Sequence, residues 1–432
     1  MRRFNVITVS KNDSRGARIK NIAGITMGNA IEFYDFGIYT VFAVLIGKLY
    51  FPADNEFAKL LLTFATIGVG FVTRPLGAVC IGLYADKYGR KPALLLTLFL
   101  MGLGTLIFVL TPTYDTIGIA APILIISARL LQGFSLGGEL GSSTAMLMEY
   151  ANDQNRAFYG SWQMFSQNFN KLLASLIGGI LGLVLSEDAL TLWGWRAAFA
   201  VGLIIIPIAL YIRRNLPETK EKTTDEATEK AILQELFQDY WKTLIAGVLI
   251  ILGITASTYI IAYYMANYAA TQLKMDFKYT VWAVTVSGLV QVVLSPFMGI
   301  LTDKIGRKQM IFWTRMGIVL FIYPAFLLIN KYPEPYMLFI VVAILAFFLV
   351  GNGIASIVLC AEIFPSRIRA TGLSISYSFT VMIFGGFAQF FVTLLIGWTD
   401  NPLSPAFYVI ATGLVSLIAL LLVKETAGQP LE

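Results

Sequence analysis

Gly82-Leu-Tyr-Ala-Asp86-Lys87-Tyr-Gly89-Arg90-Lys91 returns in the second half of the chain as Gly299-Ile-Leu-Thr-Asp303-Lys304-Ile-Gly306-Arg307-Lys308. Two further patterns repeat in the same order. Glu149, followed by Arg156, returns as Glu362 and Arg369, and Leu216-Pro217-Glu218-Thr219 is echoed by Lys424-Glu425-Thr426. One such match could be chance, but three at a nearly constant offset describe a duplicated unit. The two copies are expected to pack about an axis along a membrane normal.

The membrane follows from composition. The 432 residues are 57% hydrophobic and 13% charged, against about 25% charged in soluble proteins. The apolar residues come in runs of roughly 20, the length that crosses a bilayer core as a helix. Twelve spans are read near 21–47, 59–85, 92–111, 122–148, 157–185, 196–212, 242–268, 280–301, 309–329, 336–360, 371–397 and 405–423. The predicted fold is therefore all-α, with twelve transmembrane helices in two pseudo-symmetric six-helix bundles. Its parts are a tail over 1–20, a bundle over 21–212, a linker over 213–241, a bundle over 242–424 and a tail over 425–432. In the linker, Leu233, Leu236, Phe237 and Tyr240 fall at helical spacing. That suits a short amphipathic helix on the membrane surface and equally an entry turn into the seventh span.

Lys and Arg choose the orientation. Twenty-two lie in the tails and in loops on the side of the termini, six lie on the other side, and Arg74, Arg129, Lys171 and Arg315 lie within spans. The bias puts both termini in the cytoplasm of a cell (inner) membrane. The N-terminal segment carries Glu32 and Asp35 and lacks a cleavage site, so it is not read as a signal peptide. The net charge of +6 is spread over short loops and gives no nucleic-acid patch. With no histidine, histidine metal sites and proton shuttles are excluded. Cys80 and Cys360 lie in different halves and read as buried small hydrophobes.

The repeated loops have a physical logic. Gly82 and Gly299 permit close helix approach, and Gly89 and Gly306 permit a tight turn. Asp86 and Asp303 can accept from helix N-termini or pair with arginines. With Arg90, Arg307, Glu149, Arg156, Glu362 and Arg369 they read as a cytoplasmic gate that closes two bundles and releases them.

The G-x-x-x-D-K-x-G-R-K pattern resembles the signature loop of the major facilitator superfamily. Further stretches resemble its metabolite:proton symporters: Gly28-Asn-Ala-Ile-Glu32-Phe-Tyr-Asp35-Phe, Arg74-Pro-Leu-Gly77, Gln132-Gly-Phe-Ser-Leu-Gly-Gly-Glu139, Trp193-Gly-Trp-Arg196 and Ala361-Glu-Ile-Phe-Pro-Ser-Arg367-Ile-Arg369. The resemblance covers essentially the whole chain. Members of that branch carry proline and glycine betaine, α-ketoglutarate, citrate or shikimate. The osmosensing proline/betaine members extend into a long C-terminal coiled coil, whereas this sequence stops at Glu432, so osmotic regulation of that kind is not expected. Its fifth span departs from the family pattern in a polar run from Gln163 to Lys171.

Charge at mid-membrane is costly, about 2.5–3.5 kcal/mol on insertion scales, and so has a partner or a task. At about 1.5 Å per residue, Glu32, Arg74, Glu139 and Lys171 fall about 16–21 Å from the cytoplasmic ends of their spans, and Asp35 lies one turn beyond Glu32. Arg129 and Arg315 fall nearer the faces and are expected to snorkel, which leaves no mid-depth charge in the C-terminal half. Glu32, Asp35 and Glu139 are the proton-coupling candidates. A carboxylate in a low-dielectric site favours its protonated form, a neighbouring cation opposes this, and a substrate that engages the cation thereby couples to the proton. The alternative for Glu32, Asp35 and Arg74 is a structural salt-bridge cluster. Gln163, Gln167, Asn170 and Lys171 share one face of span five, and with Arg74 they form the substrate-binding candidates. Tyr259 and Tyr263, in a stripe with Thr255 and Asn267, are candidates for the opposing wall. Trp162, Asn352, Ser356, Tyr377 and Gln389 are weaker candidates for the same cavity.

No phosphate-binding loop is present for an ATP-driven carrier, and no catalytic constellation supports an enzyme. No cofactor is expected. The reading is a monomeric secondary transporter in the lipid bilayer that imports a small carboxylate-bearing metabolite with a proton by alternating access. A zwitterion such as proline or betaine comes first, and a di- or tricarboxylate second. Alternatives are a sugar carrier or exporter of the same superfamily, sodium coupling, and a channel.

Overall fold

The computed structural model describes residues 22–430 apart from 28, 31–32, 52–54, 89, 138, 215–232 and 366–367. Twelve helical segments run through the described residues. Segment α1 holds the turns within 22–30 together with Tyr34–Val41 and Ala43–Tyr50, and α2 joins Glu56–Val72 to Arg74–Tyr88. Next come α3 (Arg90–Leu110), α4 (Ala120–Leu136 and Glu139–Glu149), α5 (Arg156–Val184) and α6 (Leu190–Gly194 and Trp195–Arg214). The second six are α7 (Trp241–Thr258, Tyr259–Tyr264 and Met265–Thr271), α8 (Phe277–Ile305), α9 (Arg307–Lys331), α10 (Pro335–Glu362), α11 (Arg369–Thr380, Val381–Gly386 and Ala388–Thr399) and α12 (Ser404–Ala419 and Leu420–Leu422).

Seven segments are apolar and long enough to cross a membrane by themselves among the described residues. Although 29 residues long, α5 is not one of them, because Gln163, Gln167, Asn168, Asn170 and Lys171 interrupt its apolar run. Such a helix is stable in a bilayer only with its polar face against protein, and all of these but the half-buried Gln167 are buried. Large apolar side chains cover the outside of the bundle, with Leu421 80% and Trp398 76% exposed. Lipid accepts that surface without penalty.

The sequence also explains where helices begin and turn. The Asn55 side chain caps α2 by accepting from the Ala58 N–H at 2.8 Å. Gly306 takes a φ of +97° between α8 and α9, a region that favours glycine. Pro335 opens α10 at its first turn, where its missing N–H costs nothing. Two π-helical turns, Tyr259–Tyr264 and Val381–Gly386, shift the phase of α7 and α11 at mid-depth. The first breaks the simple four-residue spacing predicted for the Thr255–Asn267 stripe.

Helix α5 packs against α8, and α2 against α11, so two seams join the six-helix bundles. Glycines line both. Gly288 faces the Leu172 backbone and Gly182 faces Phe277 in the first seam; Gly68 faces Phe387 and Gly386 faces Phe71 in the second. Ahead of α7, residues 233–238 form a short helix. Its Leu236 is buried in the core cluster with Ile250, Ile311 and Leu359, and Phe237 is exposed.

Three expectations are corrected. Arg129 and Arg315 do not snorkel: they are 5% and 1% exposed, because each points into its own bundle and not along its helix toward a face. Arg315 is therefore a buried charge in the C-terminal half, where none was expected. Cys80 is exposed and Cys360 buried, so only the second is an interior hydrophobe.

Within the first bundle, α2 and α4 touch backbone to backbone. A Cβ at Gly77 would fall on the Phe134 carbonyl, and one at Gly133 on the Gly70 carbonyl. The Thr73 hydroxyl donates to the Leu130 carbonyl at 2.7 Å beside them. A Gly133→Leu variant is expected to lose about 1–3 kcal/mol through overpacking. This should appear as a lower melting temperature in detergent; an unchanged one would refute the close approach.

Candidate functional site

The site has three layers, built from residues on different helices. The first is the network at the end of the bundle where α12 finishes. Asp303, at the end of α8, accepts from the Ala157 and Phe158 N–H groups at 2.9 and 2.8 Å. It thereby caps α5 of the opposite half, where the helix dipole and the orphan N–H groups favour a carboxylate. Arg307 pairs with Asp303 at 3.2 Å and with Glu362 at 3.0 Å. Arg156, from the first half, reaches the same Glu362 at 3.2 Å. Gly299 brings α8 onto α5, since a Cβ there would meet Ser161 at 2.8 Å and the Ala157 carbonyl at 2.9 Å. Arg369 donates to the Ala361 carbonyl at 3.1 Å.

The chain beyond α12 completes this layer. Glu425 accepts from the Arg307 and Lys308 N–H groups, both at 2.9 Å, and so caps α9. The Thr426 hydroxyl donates to Glu362, and Arg156 donates to the Gln429 carbonyl. Sequence reading noticed the Glu425-Thr426 echo without giving it a task. Of the first-half copy, Gly89 lies outside the described residues, as do the surroundings of Gly82 and the side chains of Asp86, Arg90 and Glu149.

The second layer is an acid network inside the first bundle. The Asp35 carboxylate accepts from the Thr105 hydroxyl and from the Gln132 amide at 3.1 Å. Gln132 in turn accepts from Arg129 at 2.9 Å. Gln132 thus stands between acid and base, and no direct Asp35–Arg129 ion pair forms. The Arg129 guanidinium lies over the Tyr39 ring at 3.7 Å, a favourable cation–π position. One Asp35 oxygen and two Arg129 nitrogens lack a protein partner among the described residues. They line a cavity of about 20 Å³, shared with Arg74 and Phe71, which is room for about one water. Thr105, Arg129 and Gln132 were missed by sequence reading. The available signal was the three-residue spacing of Arg129 and Gln132, which puts both on one helical face. Glu32 and the Glu139 side chain lie outside the described residues.

The third layer lies between the bundles at mid-depth. Arg74 sits over the Phe71 ring at 4.0 Å and near the Phe33 ring at 5.7 Å. Lys171 donates to the Gln291 carbonyl oxygen at 3.4 Å and lies 5.5 Å from the centre of the Tyr263 ring. Neither cation forms an ion pair among the described residues. Phe36 and Phe71 meet Tyr259 and Tyr263 across the bundle interface, with ring centres 5.3–5.7 Å apart. Beyond them, a cavity of about 160 Å³ opens between α1, α7 and α8, lined by Thr40, Tyr263, Asn267 and Thr280.

The polar face of α5 divides between these surroundings. Gln167 lies beside Tyr377 and Lys171 reaches Gln291, both across the interface. Gln163 instead accepts from Ser143 of α4 at 3.2 Å, and the Asn170 amide lies against Gly37 of α1. The expected single cavity-facing stripe is thus half interface and half packing inside one bundle. Asn352 and Ser356 do not line this cavity either. They hold Arg315 at 2.6 and 3.1 Å, with the Ile250 carbonyl at 3.2 Å. Trp162 packs against Phe158 and Phe165 along α5 itself, and Gln389 accepts from Asn267 at 3.2 Å.

Comparison with known proteins places this architecture. Residues 25–281 match the model of the Major Facilitator Superfamily, and residues 214–432 match that of the Sugar (and other) transporter family. The citrate-proton symporter of Salmonella typhi is 34% identical over 420 residues, 96% of either chain. The proline/betaine transporter of Escherichia coli K12 is 30% identical over 426 residues, 96% of this chain and 85% of that one. A solved proton:xylose symporter, XylE, superposes with a TM-score of 0.77 at 16% identity, covering 96% of this chain and 97% of its own. The chain belongs to the major facilitator superfamily. It is a multi-pass membrane transporter whose full-length relatives are carriers of small solutes.

The tail contact makes a pH prediction. Burial alone would raise the Glu425 carboxyl, but N–H donors from Arg307, Ala427, Lys308 and Thr426 outweigh it and hold it below its ordinary 4.5. A depressed carboxyl stabilises fully above the ordinary value, and the contribution is lost as pH falls through the folded one. An environment-sensitive dye on a Gln429→Cys variant is therefore expected to stay shielded at every pH above the ordinary carboxyl value of 4.5 and to detach only on acidification below it. Adding Glu425→Gln should release it at neutral pH, with a loss of about 1–2 kcal/mol. Release of the unaltered tail near neutral pH would contradict this.

Proposed function

We propose that this protein is a proton-coupled symporter of the cytoplasmic membrane, with both termini inside, that imports a small di- or tricarboxylate. One observation carries the substrate class. Arg74 and Lys171 are 3% and 2% exposed, both face the bundle interface, and no acid pairs with either among the described residues. Two cations with which no described acid pairs suit a ligand that brings two negative charges, since buried charge is tolerated when paired. This reverses the order expected from sequence, where zwitterions came first. The likeness to a citrate-proton symporter at 34% identity supports the same order.

In this reading the proton goes to Asp35. Thr105 and Gln132 donate to its carboxylate and hold it in place, and Gln132 relays to Arg129. Protonation removes the acceptor charge on which this chain of donors converges. Arg129 is then free to reorganise, and α1, α3 and α4 repack around it. Arg74 and Asp35 border the same small cavity, so substrate charge at Arg74 is felt at the acid. The network of Asp303, Arg307, Glu362 and Arg156 serves as the cytoplasmic gate, because it ties α5 to α8 and α10 through groups that separate when the bundles rock apart.

A second reading remains attached to one observation. The Phe36, Phe71, Tyr259 and Tyr263 rings form an aromatic cluster at the interface, which suits a quaternary ammonium and hence betaine. The likeness to a proline/betaine transporter points the same way. Purified protein in proteoliposomes separates the two. Labelled citrate and α-ketoglutarate are expected to accumulate under an inward proton gradient, and proline and betaine are not. Lys171→Gln should raise the half-saturating polycarboxylate concentration at least about tenfold, the equivalent of about 1.4 kcal/mol. Accumulation of betaine alone would sink the polycarboxylate reading.

Coupling is tested separately. Asp35→Asn mimics the protonated acid and is expected to abolish accumulation against a gradient while counterflow exchange continues. Undiminished accumulation would move the proton site elsewhere.

A further inference from the structure

Position 291 stands out because the duplication places it opposite a charge. Gln291 stands as far ahead of Asp303 as Arg74 stands ahead of Asp86. The two therefore occupy equivalent turns of α2 and α8. Each lies at its own seam: Arg74 sits over Phe71, which packs on Gly386 of α11, and Gln291 accepts from Lys171 of α5 at 3.4 Å. The first half places a cation on α2, whereas the second keeps a neutral amide on α8 and takes its cation from the facing helix.

The amide is fixed in orientation. Its NH2 donates to the Ser287 hydroxyl at 2.9 Å and to the Ser287 carbonyl at 3.3 Å. A backbone carbonyl only accepts and an ammonium only donates. The amide oxygen must then face Lys171 and the nitrogen Ser287. Gln291 is 1% exposed, and Ser295, Ser287 and Lys171 are buried around it.

We propose that Gln291 sets the net charge of the substrate, an inference that rests on the polycarboxylate reading. A neutral acceptor orients the Lys171 ammonium without cancelling its charge, so Lys171 and Arg74 are both left for the ligand to pair with. A carboxylate at the same place would form an ion pair with Lys171 and leave Arg74 alone. The site would then balance one negative charge, that of a monocarboxylate or the acid end of a zwitterion. The specificity of the carrier thus turns on whether a single side chain is neutral or acidic.

The test compares wild type, Lys171→Gln, Gln291→Glu and Gln291→Leu in proteoliposomes with citrate, α-ketoglutarate, proline and betaine. Folding is checked by monodispersity and melting temperature. Gln291→Glu is expected to raise the half-saturating concentration of both polycarboxylates at least about tenfold, equivalent to about 1.4 kcal/mol, and to bring uptake of proline or betaine above the wild-type background. Gln291→Leu keeps the volume and removes the oxygen, and is expected to keep the polycarboxylate preference. If Lys171→Gln weakens polycarboxylates but Gln291→Glu leaves the ranking unchanged, the role of Gln291 falls and the parent reading stands. Loss of the preference in Gln291→Leu also overturns it, because neutrality would not be what matters. If wild type carries only zwitterions and ignores Lys171→Gln, both ideas fall together.

Discussion

A cation buried in a membrane bundle cannot be solvated by lipid, so protein dipoles, an acid or a ligand must do the work. This chain buries four within its spans: Arg74, Arg129, Lys171 and Arg315. Arg315 is held by neutral oxygens of Asn352, Ser356, Ser416 and the Ile250 backbone, which ties α7, α9, α10 and α12 into one body. Arg129 is held by Gln132 and an aromatic face, with one amide between it and the Asp35 carboxylate. Arg74 and Lys171 alone among the four sit between the bodies. The same problem, solved three ways, separates a structural pin from the proposed coupling centre and the proposed binding layer.

The seams follow from that division. Rocking requires each bundle to be stiff inside and separable at its border. Inside the first bundle, Gly77 and Gly133 bring α2 and α4 into backbone contact that no side chain can enter. At the end of the border where α12 finishes, contacts are polar: Asp303 on two N–H groups, Glu362 shared by Arg156 and Arg307. Charge-assisted bonds are strong in a dry site and exchange for water when wetted. A gate built from them opens at modest cost once water reaches it, which a packed apolar seam would not.

Much of this was legible in the sequence because the duplicated motif carries its own geometry. Glycine at a close approach, aspartate at a helix start and arginine one turn away have few arrangements that satisfy them all. The span count was legible for the same reason that lipid has no tolerance for unpaired backbone. What was not legible was helix phase. Counting the helical rise residue by residue placed Arg129 and Arg315 near the faces, and depth alone suggested snorkelling. Their direction around the helix decided instead, and it was written only in partners three or four residues away, or on another helix altogether. The π-helical turns at Tyr259–Tyr264 and Val381–Gly386 add a phase shift that no periodicity count registers.

The two halves use their shared ancestry unequally, and this is where the chemistry lies. Arg74 and Gln291 stand at equivalent positions. So do Glu139 and Asn352, for Glu139 precedes Glu149 by the same interval at which Asn352 precedes Glu362. In both pairs the first half keeps the charge and the second keeps an amide. A symmetric carrier with charge in both halves would hold either four interior charges or a closed ion-pair lattice, and a lattice of that kind resists opening. Neutralising one copy preserves the shape on which packing depends and leaves the charge of the other to be met by something that comes and goes. In the proposed reading, symmetry gives the bundle two equivalent ways to close, and the broken symmetry of its side chains gives the solute a reason to bind.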